Sequence, residues 1–232
     1  MIWPFTQRAL PPLDAAGAAR RAALAARQKI DLRQPLADMC WCVVDVETGG
    51  LDAQRDPLLA IGAVTIARQR IALDASLEVG LTQARSTAAA NILIHGISGT
   101  EQRAGQTPHE ALLAWLEFAR GTPLVAFHAA FDQAVLQRAV DEQLGLSIPA
   151  PWFDAAVIAP LLFPDAAPRC RHLDEWLAHF GIAVYARHGA LADAYATAEL
   201  WLVLLQTAQR HNLTTAHDLR ALLRARRWLS EN

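Results

Sequence analysis

The run Trp41-Cys42-Val43-Val44 is the most apolar β-like stretch of the chain, and it closes on Asp45-Val46-Glu47-Thr48-Gly49-Gly50. Short apolar runs bounded by turn-forming residues predict strands. They are expected at residues 40–47, 58–67, 71–80 and 124–127. Apolar positions three and four apart predict helices instead. One is expected over residues 13–29, rich in Ala and Arg, another over 108–120, and three or four more before Arg210. Pro108 at the first helical position and Gly121 beyond the last fit the usual asymmetry of helix ends. Three strands able to pair antiparallel, followed by strand–helix alternation, imply an α/β fold with a mixed sheet covered by helices. No internal repeat or low-complexity tract interrupts this order.

Certain polar positions break the pattern. Side chains alternate between the faces of a strand, so Asp45 and Glu47 project to one side and Val44 and Val46 to the other. Two such carboxylates repel each other and are costly beside apolar surface, and a cation between them removes both penalties. A solvated strand end is the alternative. Asp132 opens a helical pattern in which Val135, Leu136 and Ala139 share its face. Asp193 does the same over residues 190–210, with Ala196, Thr197, Leu200 and Leu204. Inward-pointing aspartates on two helices call for a shared partner, although each alone would suit the positive end of a helix dipole. His188 lies five residues before Asp193. A loop histidine is ordinarily a surface residue, but near an activated water its near-neutral pKa suits it to act as a general base.

Three segments together resemble the exonuclease motifs of the DEDDh 3′–5′ exonucleases. These are Asp45-Val46-Glu47-Thr48, Val125-Ala126-Phe127-His128-Ala129-Ala130-Phe131-Asp132, and His188-Gly189-Ala190-Leu191-Ala192-Asp193-Ala194. That group includes the DnaQ-like epsilon subunit of bacterial DNA polymerase III, ribonuclease T and oligoribonuclease. Ile94-His95-Gly96-Ile97-Ser98 resembles the family's histidine-glycine-isoleucine turn, and Trp152-Phe153-Asp154 its aromatic-aspartate segment opening a helix. Arg171-His172-Leu173-Asp174-Glu175-Trp176-Leu177 is similar to a further helix of the family. The motifs run in order from about residue 40 to about residue 210.

The resemblance implies a ribonuclease H-like fold and a hydrolase releasing nucleoside 5′-monophosphates from the 3′ ends of single-stranded nucleic acid, with DNA favoured. It implies that Asp45, Glu47, Asp132 and Asp193 hold two Mg²⁺ or Mn²⁺ ions, hard cations suited to oxygen ligands. His188 would take the proton of the attacking water in a two-metal phosphodiester cleavage. Thr48, Gly49 and Gly50 would line the terminal nucleotide's pocket, with His95 as a turn or substrate contact. His128 stands where the family often has Asn, and is read as an orienting or substrate-side group. Gly49 replaces a frequent Thr. Asp154 reads as the N-cap of a helix over residues 155–163. An RNA exonuclease like ribonuclease T or oligoribonuclease is the alternative within the class. A non-catalytic nucleic-acid-binding module is the alternative outside it, and four retained acids with His188 weigh against that reading.

Composition narrows the setting. The 232 residues are 53% hydrophobic with a formal net charge of −2. Three parts are expected: an N-terminal helical extension over 1–38, an exonuclease domain over 39–210, and a C-terminal helical extension over 211–232. Either extension could pack on the domain or serve a homodimer or protein partner; packing is favoured. The acidic balance argues against a protein that coats nucleic acid, because non-specific affinity comes from phosphate neutralisation. Arg169 with Arg171, and Arg224 with Arg226 and Arg227, are candidate phosphate contacts, although an ordinary solvated surface is the favoured reading of each. No run approaches membrane-spanning length, and Met1-Ile2-Trp3-Pro4-Phe5 lacks the features of a secretory signal. Cys40, Cys42 and Cys170 form no zinc-like cluster, and Cys40 and Cys42 are expected to pack on one strand face. A cytoplasmic setting follows as the expectation. The late first motif and the lack of a long polymerase-docking tail point to an independent exonuclease.

Overall fold

A computed structural model describes residues 10–26, 29–84, 97–184 and 189–231, with the side chains of Glu101 and of residues 225–231 outside that description. After helix α1 (Ala15–Ala25) come three strands, β1 (Trp41–Thr48), β2 (Leu58–Ala67) and β3 (Arg70–Gly80). Helices α2 (Gly99–Ala104) and α3 (Pro108–Phe118) lead to β4 (Leu124–Ala126) and α4 (Ala129–Leu144). Then follow β5 (Trp152–Asp154), α5 (Ala155–Leu162), α6 (Leu173–His179), α7 (Ala190–Arg210) and α8 (Ala216–Glu231).

The five strands form one mixed sheet in the order β3-β2-β1-β4-β5. β1 and β2, and β2 and β3, pair antiparallel, whereas β1–β4 and β4–β5 are parallel. Strand β2 is buried along almost its whole length, as expected for a strand covered on both faces. The alternation of β1 sorts its residues into two cores. Trp41 and Val43 join α5, α6 and α7 on one face; Cys42, Val44 and Val46 join α3 and α4 on the other. Trp41 meets Phe153 and Trp201 edge-on, with ring centroids 5.1 and 5.2 Å apart, fixing α7 against the sheet. Asp45 and Glu47 continue the Trp41–Val43 series and therefore face the side that α7 covers.

Trp152-Phe153-Asp154 leads into the expected helix at Ala155, and its three residues are also a short parallel strand beside β4, which the sequence did not predict. Two local expectations change. Cys40 is exposed and precedes β1, so only Cys42 packs inside. The first helix is shorter than expected, ending at Ala25.

The segments before and after the motif region contact the rest of the fold. Arg20 of α1 bridges Glu110 at 2.6 Å and Glu117 at 2.8 Å on α3. Leu36 donates its amide to the Thr214 carbonyl, and His217 donates to the Leu32 carbonyl, each at 2.8 Å. Among the described residues no helix is long and apolar enough to cross a membrane. Trp3 lies outside the described residues, as do the side chains of Trp228, Arg226 and Arg227.

Candidate active site

Strand β1 delivers two of the acids and α7 the third. One carboxylate oxygen each from Asp45, Glu47 and Asp193 lie within 4.8 Å of one another. Asp45 and Glu47 come from the strand's alternation, and Asp193 from the first turn of α7, where its amide donates to the Gly189 carbonyl at 2.9 Å. Asp193 is only 9% exposed. Three convergent carboxylate oxygens match the donor chemistry of a hard divalent cation, and they would repel one another without it.

Asp132 reaches the same place from the opposite layer. Strand β4 pairs with β1 only at Cys42 and Val43 and stops at Ala126, so the last residues of β1 have no strand neighbour on that side. There the Val46 amide donates to the Asp132 carboxylate, as does the amide of Asp132 itself. Asp132 is 4% exposed, and burial pushes its carboxyl up to about 8, with the nearby charges of Asp154 and Glu47 adding to the rise. The fourth acid is thus near enough to Glu47 for their charges to interact, but it stands outside the group of three that converge within 4.8 Å. A cation here would favour its ionised form.

This carboxyl makes a measurable statement about stability. In the folded, metal-free chain it holds its proton to about pH 8, whereas an unfolded aspartate releases it near pH ~3.9. Between those values the folded chain binds more protons, so its contribution to stability is complete below about pH 4 and is lost as pH rises through about 8. Thermal midpoints of chelator-treated protein from pH 5 to 9 should fall more steeply for wild type than for Asp132→Asn. Parallel curves would show that the group is not buried as described.

The turn after β1 is held by its own contacts. The Thr48 hydroxyl donates to the Gly50 carbonyl at 2.6 Å, and the Gly49 amide to the Pro57 carbonyl at 2.9 Å. A side chain at position 50 would collide with the Asp56 carboxylate, which accepts from the Asp52 amide at 2.7 Å. Arg138 of α4 donates to the Asp56 carbonyl, tying this loop to the helix that carries Asp132. At the loop's tip Leu51 is 94% exposed, an apolar side chain left bare next to the turn.

His128 is exposed and adopts the left-handed conformation, φ 63°, just before α4. His and Asn are among the side chains that tolerate this region. Its amide donates to Asp154 Oδ1 at 3.0 Å, and the same oxygen accepts from Ala156 N at 2.9 Å. Asp154 is thus the expected N-cap of α5, but it also fastens the entry of α4. Burial raises its pKa, opposed by the Ala156 and His128 amides. His95 and His188 lie outside the described residues. Sequence reading passed over Arg138, Asp56 and Gly62. Only Gly62 carried a signal, a glycine inside the apolar strand Leu58–Ala67.

The sequence pattern of a family described as exonuclease matches residues 42–201. A DNA polymerase III subunit epsilon-like protein of Rhodobacter capsulatus is 31% identical over 184 residues, covering 78% of this chain and 26% of that protein. A PolC-type DNA polymerase III of Caldanaerobacter subterraneus subsp. tengcongensis is 27% identical over 186 residues, covering 80% of this chain and 13% of that one. The chain thus spans about a quarter or less of the length of these curated relatives. E. coli exonuclease I, solved with a dT13 oligonucleotide, superposes with a TM-score of 0.63 at 16% identity over 75% of this chain and 42% of its own. Exonuclease X in complex with 5′ overhanging duplex DNA gives 0.58 at 21% identity, over 73% and 93%. The shared architecture is the ribonuclease H-like fold.

Proposed function

The chain belongs to the exonuclease family, and from that premise we propose that it is a metal-dependent 3′–5′ exonuclease of the DEDDh type, acting on single-stranded DNA. The observation that carries this reading is the convergence of Asp45, Glu47 and Asp193 within 4.8 Å, with Asp132 buried alongside. These four acids would hold two divalent cations, Mg²⁺ or Mn²⁺. When bound, such ions lower the pKa of water and stabilise charge on the phosphoryl oxygens.

The remaining work belongs to the chain itself. Asp45 and Glu47 are held rigid by the ladder of β1, and Asp193 by the first turn of α7. Asp132 is oriented by the Val46 amide, so its carboxylate keeps its place beside Glu47. His188 accepts the proton of the attacking water. The Thr48-Gly49-Gly50 turn encloses the terminal sugar, where glycine lets the backbone approach closely. Leu51, bare beside that turn, offers an apolar face to a base. His128, and His95 by its motif, are assigned to substrate contact. DNA as substrate is supported by the named relatives, which are DNA polymerase III proteins, and by the DNA-bound exonucleases that share the fold.

A site that encloses a terminal sugar requires a free 3′ end. A linear 3′-hydroxyl oligonucleotide should therefore be shortened stepwise in Mg²⁺, whereas a 3′-phosphorylated strand and a circular single strand should resist. Efficient cutting of the circle would replace the exonuclease reading with an endonuclease one. Running the same oligonucleotide as DNA and RNA separates the two substrate classes, and preference for RNA would overturn the DNA assignment.

A further inference from the structure

We propose that Gly62 is a positioning residue that sets how closely Asp193 approaches Asp45 and Glu47, and so how tightly the three hold a cation. The proposal rests on the metal-dependent reading above. Gly62 lies in β2 directly opposite Asp45 in the ladder, and directly paired residues share a sheet face. That face is the one α7 covers. A methyl group built on Gly62 would overlap the carbonyl carbon and oxygen of Ala190 and the amide nitrogen of Leu191, inside the 3.0 Å that Cβ atoms keep. Ala190 begins α7, and Asp193 follows in the same turn. The bare backbone at position 62 is therefore what lets the start of this helix rest on the sheet next to Asp45.

The atoms in the way are main chain, so no side-chain rotation relieves the clash. Strand β2 has little freedom to retreat, being paired on both edges with β1 and β3. Further along, α7 is fixed by Trp201 against Trp41, with centroids 5.2 Å apart. A side chain at position 62 would thus lift the first turn of α7 and carry the Asp193 carboxylate away from its two partners. Gly80 supplies a matched control, because a methyl group there would meet nothing closer than the Leu59 carbonyl oxygen at 4.0 Å.

The test uses the full chain as wild type, Gly62→Ala, Gly80→Ala, Asp193→Glu, and Gly62→Ala combined with Asp193→Glu. Mn²⁺ binding is measured by calorimetry, folding by circular dichroism, and kcat and KM on a 3′-hydroxyl oligonucleotide. Gly62→Ala should stay folded but bind Mn²⁺ roughly 10–100-fold more weakly, the range seen when a ligand's support is removed. Its kcat should fall while KM changes little; Gly80→Ala should match wild type. Asp193→Glu alone should weaken binding, because the longer side chain overreaches. In the Gly62→Ala background it should recover part of the loss, since the added methylene spans the lifted turn. Wild-type Mn²⁺ affinity in Gly62→Ala, or no recovery in the double variant, overturns the proposal. So does wholesale unfolding of Gly62→Ala, which would assign the position to the core instead. Mn²⁺ binding by a wild-type protein that hydrolyses no oligonucleotide would defeat the exonuclease reading and leave the role of Gly62 to be decided by the titrations.

Discussion

Replacing Asp132 or Asp193 by alanine should lower hydrolysis of a 3′-labelled oligonucleotide by about 10³-fold or more, with the protein still folded. On the proposed reading each variant loses a cation ligand; stabilisation of charge at a metal site is worth several kcal/mol, and each ~1.4 kcal/mol is tenfold in rate. The two variants should differ in stability without metal. Asp193 is one of three carboxylates crowded within 4.8 Å, so its removal relieves repulsion and the thermal midpoint should hold or rise. Asp132 accepts the Val46 amide in a buried setting. Its removal ends the cost of burying a carboxyl but leaves that amide unpartnered, a penalty of about 1–3 kcal/mol. Little gain is therefore expected there. Rates in Mg²⁺ and thermal midpoints in chelator decide both points. Near-normal cleavage by either variant would remove it from the site.

The second large effect concerns His188, whose role is proposed from its place in the third motif. His188→Ala should cost on the order of 10²–10⁴ in rate, the usual contribution of a positioned acid–base group, and should leave Mn²⁺ binding intact. The neutral imidazole is the competent form, so wild-type activity should fall on the acidic side with an apparent pKa of about 6–7. A pH–rate profile at saturating Mn²⁺ for wild type and variant makes the comparison. A variant that keeps both the rate and the acidic limb would show that another group takes the proton.

Some of these residues were legible because their signal is local. The two-residue period of a strand put Asp45 and Glu47 on one side, and β1 runs as Trp41–Thr48. The spacing of three and four residues marked Asp132 and Asp193 as inward-facing, and both are largely buried. The N-cap at Asp154 was readable for the same reason, since a cap needs only its own helix. Strand β5 was not legible as a strand. Three residues carry too little periodicity, and Trp152–Asp154 becomes a strand only through pairing with Leu124–Ala126. The left-handed turn at His128 escaped for a related reason. Nothing adjacent demands it, and it is fixed by a hydrogen bond to Asp154, 26 residues away.

The sequence by itself determined the kinds of element, the faces their acids take and the family they resemble, because alternation and helical spacing are properties of neighbours along the chain. Only the tertiary structure decided that Asp45, Glu47 and Asp193 converge while Asp132 arrives from the other layer. It also decided that Arg138 secures the Asp56 loop from 82 residues away, and that Gly62 lets α7 touch the sheet. Those outcomes depend on how two helical layers meet one sheet. Contact between backbones distant in sequence leaves no period to read, and at Gly62 its one trace is a missing side chain.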